Sequence, residues 1–354
     1  MRNTLACDIL VVGAGPAGGA TALAAARRDT RVLVVDRRQV VGMPVRCAEF
    51  IPAGLMGRLD LGESFIVQRT RRMKTYLPGE AVREMCAPGF TIHRDLFDQA
   101  MISAAIDFGA GLMTSTRAVR RIDAETVLLK RRDGQHIPVR AKIIVGADGP
   151  HSTVGRWVGA VNTSLLPGVQ VTMPLAAPMD WTEVYFDPEI YAGYGWLFPK
   201  KEVANIGIGL KTTPQNPRRT RAVLERFVSR LRASGRITGA AVGYAAGWIP
   251  AQPVRQAVHG NVLLVGDAAG HTHPITGAGI ANAVVCGEMA GRWAARAVEM
   301  DDPGVLHQYD DQWLDLFRHS LDHAYRRRQT MESCWQDFTE TVRSCWIGFR
   351  EYYV

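Results

Sequence analysis

Nothing in this sequence is spaced for metal or disulfide chemistry. Its six cysteines, Cys7, Cys47, Cys86, Cys286, Cys334 and Cys345, are scattered and form no CxxC pair. Free thiols in a reducing compartment are expected, and no metal site. The CxxxxC dithiol of a disulfide reductase is missing too. No apolar run reaches the roughly 20 residues that cross a bilayer. The apolar start, Leu5 to Val12, runs directly into a glycine turn, so it reads as a buried strand and not as a leader. A cytoplasmic protein is expected. The basic runs Arg69–Arg72 and Arg326–Arg328 lack any accompanying fold motif, so no nucleic acid is expected as a partner. The net charge of +8 is left to solubility or to attraction for an anionic lipid surface, with peripheral membrane contact as one expectation. Internal repeats and low-complexity segments are absent.

What is present is an ordinary globular composition, 47% hydrophobic and 21% charged. A length of 354 residues suits two domains or one composite domain. Residues 7–36 read as strand, tight turn, helix, strand. The run Cys7 to Val12 is apolar almost throughout, as in a parallel strand covered on both faces. Strand pattern returns at 65–92, a helix is expected from Asp95 to Phe108, and short strands follow over 114–145 with a turn at Asp133-Gly134. Alternating, aromatic-rich sequence from 165 to 250 predicts an antiparallel sheet, interrupted by a helix over 218–233. Asn261–Val265 is again a buried strand, with a long helix from Thr276 and helices to the end. The expected division has three parts. Residues 1–64, 93–160 and 255–300 form a discontinuous nucleotide domain, 65–92 and 161–254 a substrate sheet, and 301–354 a C-terminal helical segment. Ligands should collect at the carboxyl ends of the parallel strands.

The strongest local signal is Gly13-Ala14-Gly15-Pro16-Ala17-Gly18. Gly13 permits the tight turn, Gly15 lets a pyrophosphate approach the backbone, and Gly18 allows close helix–strand packing. Pro16 suits the first turn of the helix, whose N-terminus offers N–H groups and partial positive charge to phosphate. Asp36, 23 residues after Gly13, ends the second strand where a carboxylate can accept from ribose hydroxyls, with Arg37 beside it. Strand, turn, helix and acid together predict a dinucleotide site but do not choose the nucleotide.

Later segments make that choice. Val145-Gly146-Ala147-Asp148-Gly149-Pro150 and Gly266-Asp267-Ala268-Ala269-Gly270 resemble the second and third fingerprints of the flavoprotein hydroxylase and prenyl-reductase superfamily. Pro44-Val45-Arg46-Cys47-Ala48-Glu49 resembles the PxxCxE segment of geranylgeranyl reductases. Tyr194-Gly195-Trp196-Leu197-Phe198-Pro199-Lys200 matches that family's YxWxFPK segment. The resemblance covers roughly residues 5–300 and is to FAD-dependent enzymes that saturate carbon–carbon double bonds of prenyl chains.

It implies an α/β fold: a Rossmann-like FAD-binding domain of hydroxylase type with an inserted antiparallel substrate sheet. Gly18, Asp36, Cys47, Ala48, Arg94, Ala118, Asp267, Gly279 and Ile280 are implied FAD contacts. Gly13, Gly15, Ala17, Arg46, Asp148, Gly266, Gly277 and Ala278 belong to the same cofactor-binding segments. Tyr194, Trp196, Phe198 and Pro199 are implied to roof the substrate cavity, with Phe50 at its edge. Cys47 is expected either to position the alkene or deliver a proton, or to be a packed thiol. Glu49 is either an acid or a partner of Arg46. His271 and His273 either shuttle protons or face solvent, His273 being the candidate catalyst, and Lys200 is expected to be a satisfied surface or hinge residue. Phe50, His271 and His273 depart from the reductase pattern, which leaves a flavin monooxygenase acting on an aromatic compound or a protein side chain as the alternative. Without a second GxGxxG unit, electrons must come from docked NAD(P)H, a ferredoxin or another reductase. The apolar stripe Met331, Trp335, Phe338, Val342, Trp346, Phe349 and Tyr353 predicts a helix packed on the protein's own body.

Overall fold

Two eight-stranded sheets form the core of the molecule, and the chain crosses between them repeatedly. The structure is a computed structural model and describes residues 4–58, 60–212, 220–253 and 256–354. β1 (Leu5–Val12) passes through the glycine turn into α1 (Pro16–Ala26) and β2 (Val32–Val35). β3 (Phe50–Pro52) and the short α2 (Ala53–Met56) follow, then the hairpin of β4 (Ile66–Tyr76) and β5 (Arg83–Ile92), and α3 (Arg94–Asp107). β6 (Gly111–Met113) leads to the meander of β7 (Thr116–Arg121), β8 (Thr126–Arg131) and β9 (His136–Gly146). After α4 (Thr153–Trp157) come β10 (Leu165–Pro174), β11 (Trp181–Tyr185), β12 (Tyr194–Lys200) and β13 (Val203–Gly209). α5 (Thr220–Ala233), β14 (Gly243–Pro250) and the pair β15 (Val258–His259) and β16 (Val262–Leu264) precede α6 (Ile280–Glu299), α7 (His307–Ser333) and α8 (Phe338–Cys345).

In the first sheet the order is β15-β16-β9-β1-β2-β6, with β7 and β8 joined to the far side of β9. Its central strands are parallel and apolar because helices cover both faces. Their register sets the site. Val12 pairs with Val35 and with Gly146, and Gly146 pairs with Leu264. Four carboxyl ends therefore finish at one level, and the sequence that follows each end lies along one edge. α1 and α6 pack closely on this sheet through small residues. A Cβ on Gly287 would stand 2.6 Å from the Ala17 carbonyl oxygen, and one on Gly291 would stand 2.3 Å from that of Thr21.

The second sheet runs β14-β10-β13-β12-β11-β4-β5-β3 and is antiparallel except where β11 meets β4. Residues 1–64 thus supply strands to both sheets, since β3 pairs with β5. α6 starts at Ile280 and not at Thr276, because Gly277 adopts φ +64° and the chain turns there, with the His273 N–H donating to the Ala278 carbonyl. Positions 218–219 of the helix expected over 218–233, and the domain boundary expected at 254–255, lie outside the described residues.

The C-terminal stripe does pack on the protein's own body, but on no single helix. α7 ends at Ser333, α8 spans Phe338–Cys345, and a 3-10 turn covers Arg350–Tyr353. Met331, Trp335, Val342, Trp346 and Phe349 are buried against Met73, Leu77, Val184 and Phe186 of the second sheet. The breaks rotate the last turn, so Tyr352 is buried while Tyr353 is 67% exposed.

Candidate active site

At the shared edge of the first sheet the glycine turn is packed tightly against backbone atoms. A Cβ on Gly13, which sits at φ +108°, would fall 2.3 Å from the Ala147 carbonyl oxygen, and one on Gly18 would fall 1.8 Å from that of Gly13. Gly15 is different: the nearest atom to its Cβ position is an Arg94 guanidinium nitrogen at 3.9 Å. Gly15 caps α1 with no side-chain hydrogen bond, so the first-turn N–H groups face that open space beside Ala17. Asp36 braces the turn from the next strand, accepting from the Ala14 N–H at 2.8 Å and the Arg38 N–H at 2.7 Å. Arg37 is exposed beyond it, and Ala118 sits at the bulge of β7, next to the strand end where the Thr116 N–H donates to the Asp36 carbonyl.

Arg94 is the buried cation of the site. Its Nε donates to Asp98 Oδ1 at 2.8 Å and its Nη2 to Oδ2 at 3.2 Å. Burial alone would depress the guanidinium, but the Asp98 carboxylate and the neighbouring Cys47 hold its pKa above the ordinary value. An uncovered helix N-terminus, a side-chain-free Gly15 and a permanent positive charge are a donor set that fits the diphosphate of a dinucleotide.

The second and third motifs end at the same level. Asp148 turns back on its own chain, accepting from Ser152 Oγ and from the N–H groups of Thr153 and Val154, which braces the start of α4 behind its N-cap Ser152. Asp267 is freer: Oδ1 accepts from Thr272 Oγ1 at 2.6 Å, and burial raises its pKa against the pull of that hydroxyl and of Arg94. Asn162 pins the Asp267 and Pro150 carbonyls through Nδ2. Gly266 takes φ +63° and packs against Ala17 and Ala283. Gly277 and Ala278 form the turn, their N–H groups donating to the His273 carbonyl and to Thr276 Oγ1, and Gly279 caps α6 without a side-chain bond, which leaves the first-turn N–H groups of that helix without a side-chain cap.

The second sheet meets this edge through two short segments that interlock. Trp196 Nε1 donates to Gln170 Oε1 at 3.3 Å, and Gln170 Nε2 donates to the Cys47 carbonyl at 2.9 Å. Asn205 Nδ2 reaches both the Ala48 carbonyl and Glu49 Oε2. Glu49 does not pair with Arg46, which is exposed, its Cβ beside Gly247. Its partner is Lys200, Nζ to Oε2 2.7 Å, with side chains only 8% and 10% exposed. Glu49 Oε1 accepts the Arg94 N–H. These bonds hold Glu49 at φ +66°, a conformation a glutamate seldom adopts unaided. Lys200 is satisfied, but inside the protein and not on its surface, because the β12 register points it inward at Glu49. The Glu49 N–H donates to Cys47 Sγ at 3.2 Å, and burial pushes the thiol up despite Arg94 beside it, so Cys47 keeps its proton at neutral pH.

The inner face of β12 is aromatic from Tyr194 to Phe198 and ends on Lys200. Tyr194 contacts Trp196 and Trp346, its hydroxyl donating to the Thr276 carbonyl. Phe198 lies 5.7 Å from Phe50, and Pro199 is buried. The Trp196 ring closes over Gly207, where a Cβ would fall 2.3 Å from it, and lies in ordinary contact range of Gly209 and Gly168. Ile249 of β14 packs between this ring and Gly277.

Neither histidine is a solvent-facing shuttle. His271 is 1% exposed, its Nδ1 accepts from the Gly266 N–H, and its ring stacks 4.7 Å from Trp313. Burial drives its pKa down to about 3. His273 Nδ1 accepts from the N–H groups of Ile275 and Thr276, and burial, His323 and Arg328 lower it to about 4. Both rings are therefore neutral braces of the turn. The sign of the linkage follows. The unfolded rings take up protons near pH 6.5 and the folded rings resist until about 4 and 3. Stability is full above pH 6.5 and falls as pH drops, at up to about 1.4 kcal/mol per pH unit for each ring. Urea midpoints between pH 7 and 4.5 should show that slope, and His273→Asn should flatten it; an equal slope in both proteins refutes the assignment.

Gln170, Asn205, Ile249, Asn162 and Arg328 carry no motif of their own. Only the strand period, which puts Gln170 and Asn205 on the face opposite the α5 side, hints at them.

The FAD binding domain family matches residues 61–312, and the NAD(P)-binding Rossmann-like domain family matches residues 11–77. The two sheets and the donor set at their junction thus define an FAD-dependent oxidoreductase of the hydroxylase-type fold. A digeranylgeranylglycerophospholipid reductase from Methanothrix thermoacetophila is 35% identical over 87% of this chain and 83% of its own length. Another such reductase, from Methanopyrus kandleri, is 33% identical over 90% and 88%. The chain belongs to the geranylgeranyl reductase family of flavoproteins. Among solved structures, a geranylgeranyl bacteriochlorophyll reductase-like protein from Thermoplasma acidophilum superposes with a TM-score of 0.86 at 26% identity, covering 94% of this chain and 89% of that one. A probable FAD-dependent monooxygenase from Pseudomonas aeruginosa gives 0.71 at 18% identity, covering 95% and 99%, a likeness of fold alone.

Proposed function

We propose that this protein saturates isolated carbon–carbon double bonds in the prenyl chains of a lipid. The observation that carries this reading is the interlock of the Cys47–Glu49 loop with β12, which holds Trp196 and Phe198 in an apolar wall that Ile249 of β14 extends to the turn at Gly277. Such a wall suits a hydrocarbon chain. It offers few polar groups to orient a hydroxylated ring, and the monooxygenase alternative gains no support from it.

In this reading Gly13, Gly15, Ala17 and Gly18 with Arg94 hold the diphosphate, Asp36 and Ala118 lie at the adenosine, and Asp267 lies at the ribityl chain. Cys47, Ala48, Gly279 and Ile280 border the ring. Bound and reduced there, FAD would supply the hydride for one alkene carbon. The protein would supply the rest: the aromatic wall to exclude water and hold the chain, and Cys47 Sγ, kept protonated by burial, to give a proton to the other carbon and regain one from solvent. Division into a nucleotide unit around the first sheet, a substrate unit around the second and a C-terminal cap is part of the same proposal. Electrons arrive from an external donor, NAD(P)H, a ferredoxin or a reductase. Among the described residues no helix is long and apolar enough to cross a membrane. In this proposal a lipid surface is met peripherally, and the exposed Tyr244 and Trp248 on edge strand β14 suit such a contact.

One experiment tests the reading. The holoenzyme is reduced anaerobically and mixed with vesicles carrying a geranylgeranyl lipid, and both co-sedimentation and product masses are read. A gain of two hydrogens per double bond is expected. Unchanged lipid, or a product containing oxygen once air is admitted, sinks it.

A further inference from the structure

The C-terminal segment does more than cover the second sheet. We propose that Arg328 of α7, with Tyr352 behind it, is a positioning residue that fixes the flavin-side turn of α6 against the aromatic strand β12.

Arg328 is 3% exposed, and the groups that receive its N–H bonds are both backbone carbonyls. Nε donates to Pro274 at 3.1 Å, in the turn leading to Gly279 and α6, and Nη1 donates to Ala192, two residues before β12. Ala192 itself sits at φ +45°, an uncommon state for alanine that needs support. A single guanidinium thus bonds a loop of the first sheet and a loop of the second from a third element. Desolvating a charge for two carbonyls is costly unless the geometry is used. Only a planar fork with several fixed donors spans two such carbonyls at once.

Tyr352 acts on the neighbouring residue of the same turn. His273 accepts two backbone N–H bonds at Nδ1, so its proton is on Nε2, which faces the Tyr352 hydroxyl at 3.4 Å. The Tyr352 carbonyl is held in turn by His323 at 2.7 Å. Tyr194 adds a third tie, from β12 to the Thr276 carbonyl. Residues 273–276 are therefore held from three sides, two of them C-terminal. No polar side chain within the turn itself reaches across to β12. Without Arg328 and Tyr352 the hydrogen bonding between this turn and β12 would rest on Tyr194, beside the apolar contact of Ile249 with Gly277.

The inference rests on the reading that the Gly277–Ile280 turn faces the flavin, but not on the substrate. The test uses the full-length holoprotein with Arg328→Met, Arg328→Lys and Tyr352→Phe. The readouts are the FAD dissociation constant from flavin fluorescence, the flavin absorption bands, the midpoint potential by dye equilibration, and thermal unfolding of the apoprotein. Arg328→Met is expected to weaken FAD binding by about tenfold, to shift the bands and the potential, and to leave apoprotein unfolding within a few degrees. Arg328→Lys should fall between it and the wild type. Tyr352→Phe, which removes one hydroxyl at the rim, should shift the bands in the same direction and covers the case in which Arg328→Met does not fold. Unchanged FAD affinity, spectrum and potential in the folded variants overturn the proposal, as does a loss confined to apoprotein stability. If the wild type fails to reduce prenyl lipid but these shifts appear, the substrate reading falls and this inference stands.

Discussion

Gly18→Ala should purify as a colourless protein. The alanine Cβ would have to occupy a point 1.8 Å from the Gly13 carbonyl oxygen and 3.4 Å from the Ala147 Cβ. Neither neighbour can retreat. The Gly13 N–H is bonded to the Val35 carbonyl, and Gly13 is itself pressed on the Ala147–Asp148 backbone. The helix must then lift from β1, which carries the open face of Gly15 and the uncovered N–H groups away from Arg94. Overpacking of this kind costs about 1–3 kcal/mol of stability. The larger effect is on binding, since the diphosphate contacts depend on sub-ångström placement. Flavin absorbance per protein after gel filtration is expected to fall below about a tenth of the wild-type value. Gly54→Ala, at an exposed glycine of α2 with an ordinary backbone angle and nothing within 4 Å of its Cβ position, is the control. A yellow Gly18→Ala protein with wild-type flavin content refutes the packing argument.

The second large effect is expected at Lys200. Lys200→Met strands the Glu49 carboxylate inside the protein with only the Asn205 amide and the Arg94 N–H to serve it. Removing one partner of a buried ion pair costs about 3–5 kcal/mol, whereas replacing both partners by neutral groups costs far less. Glu49→Gln with Lys200→Met removes the stranded charge and keeps an amide oxygen for one of those two donors, so it should recover part of the loss in urea unfolding. Reduction of lipid should fall in the single variant beyond what lost stability explains, because Glu49 is two residues from Cys47 and donates its N–H to the thiol. A Lys200→Met protein within about 1 kcal/mol of wild type would mean that the pair is dispensable.

These two positions differ in how legible they were. Gly18 announces itself, since glycine at that spacing after an apolar run has a backbone reason that holds in any protein with the turn. Lys200 does not. A lysine after Phe-Pro at the end of a strand reads as surface, and only the pairing of β12 with β13 points it at Glu49. The histidines fail in the same way. Two of them beside a glycine-rich turn suggest proton traffic, yet Trp313 and Tyr352, far off in sequence, bury them and make them neutral. The C-terminal stripe was read correctly as self-packing and wrongly as one helix, because a spacing of three and four survives across the bend after Ser333 when both segments face the same sheet.

The sequence by itself determined the cofactor and the parallel strands. Those depend on local rules: glycine where the backbone must approach phosphate, apolar runs where helices cover both faces, an acid at a strand end. Only the tertiary structure decided who holds whom at the junction of the two sheets. Arg94 beside Gly15, Lys200 on Glu49, Gln170 between Trp196 and Cys47, and Arg328 across two loops are contacts between distant segments. Each is set by sheet register and by burial, and neither is a property that a stretch of chain carries alone.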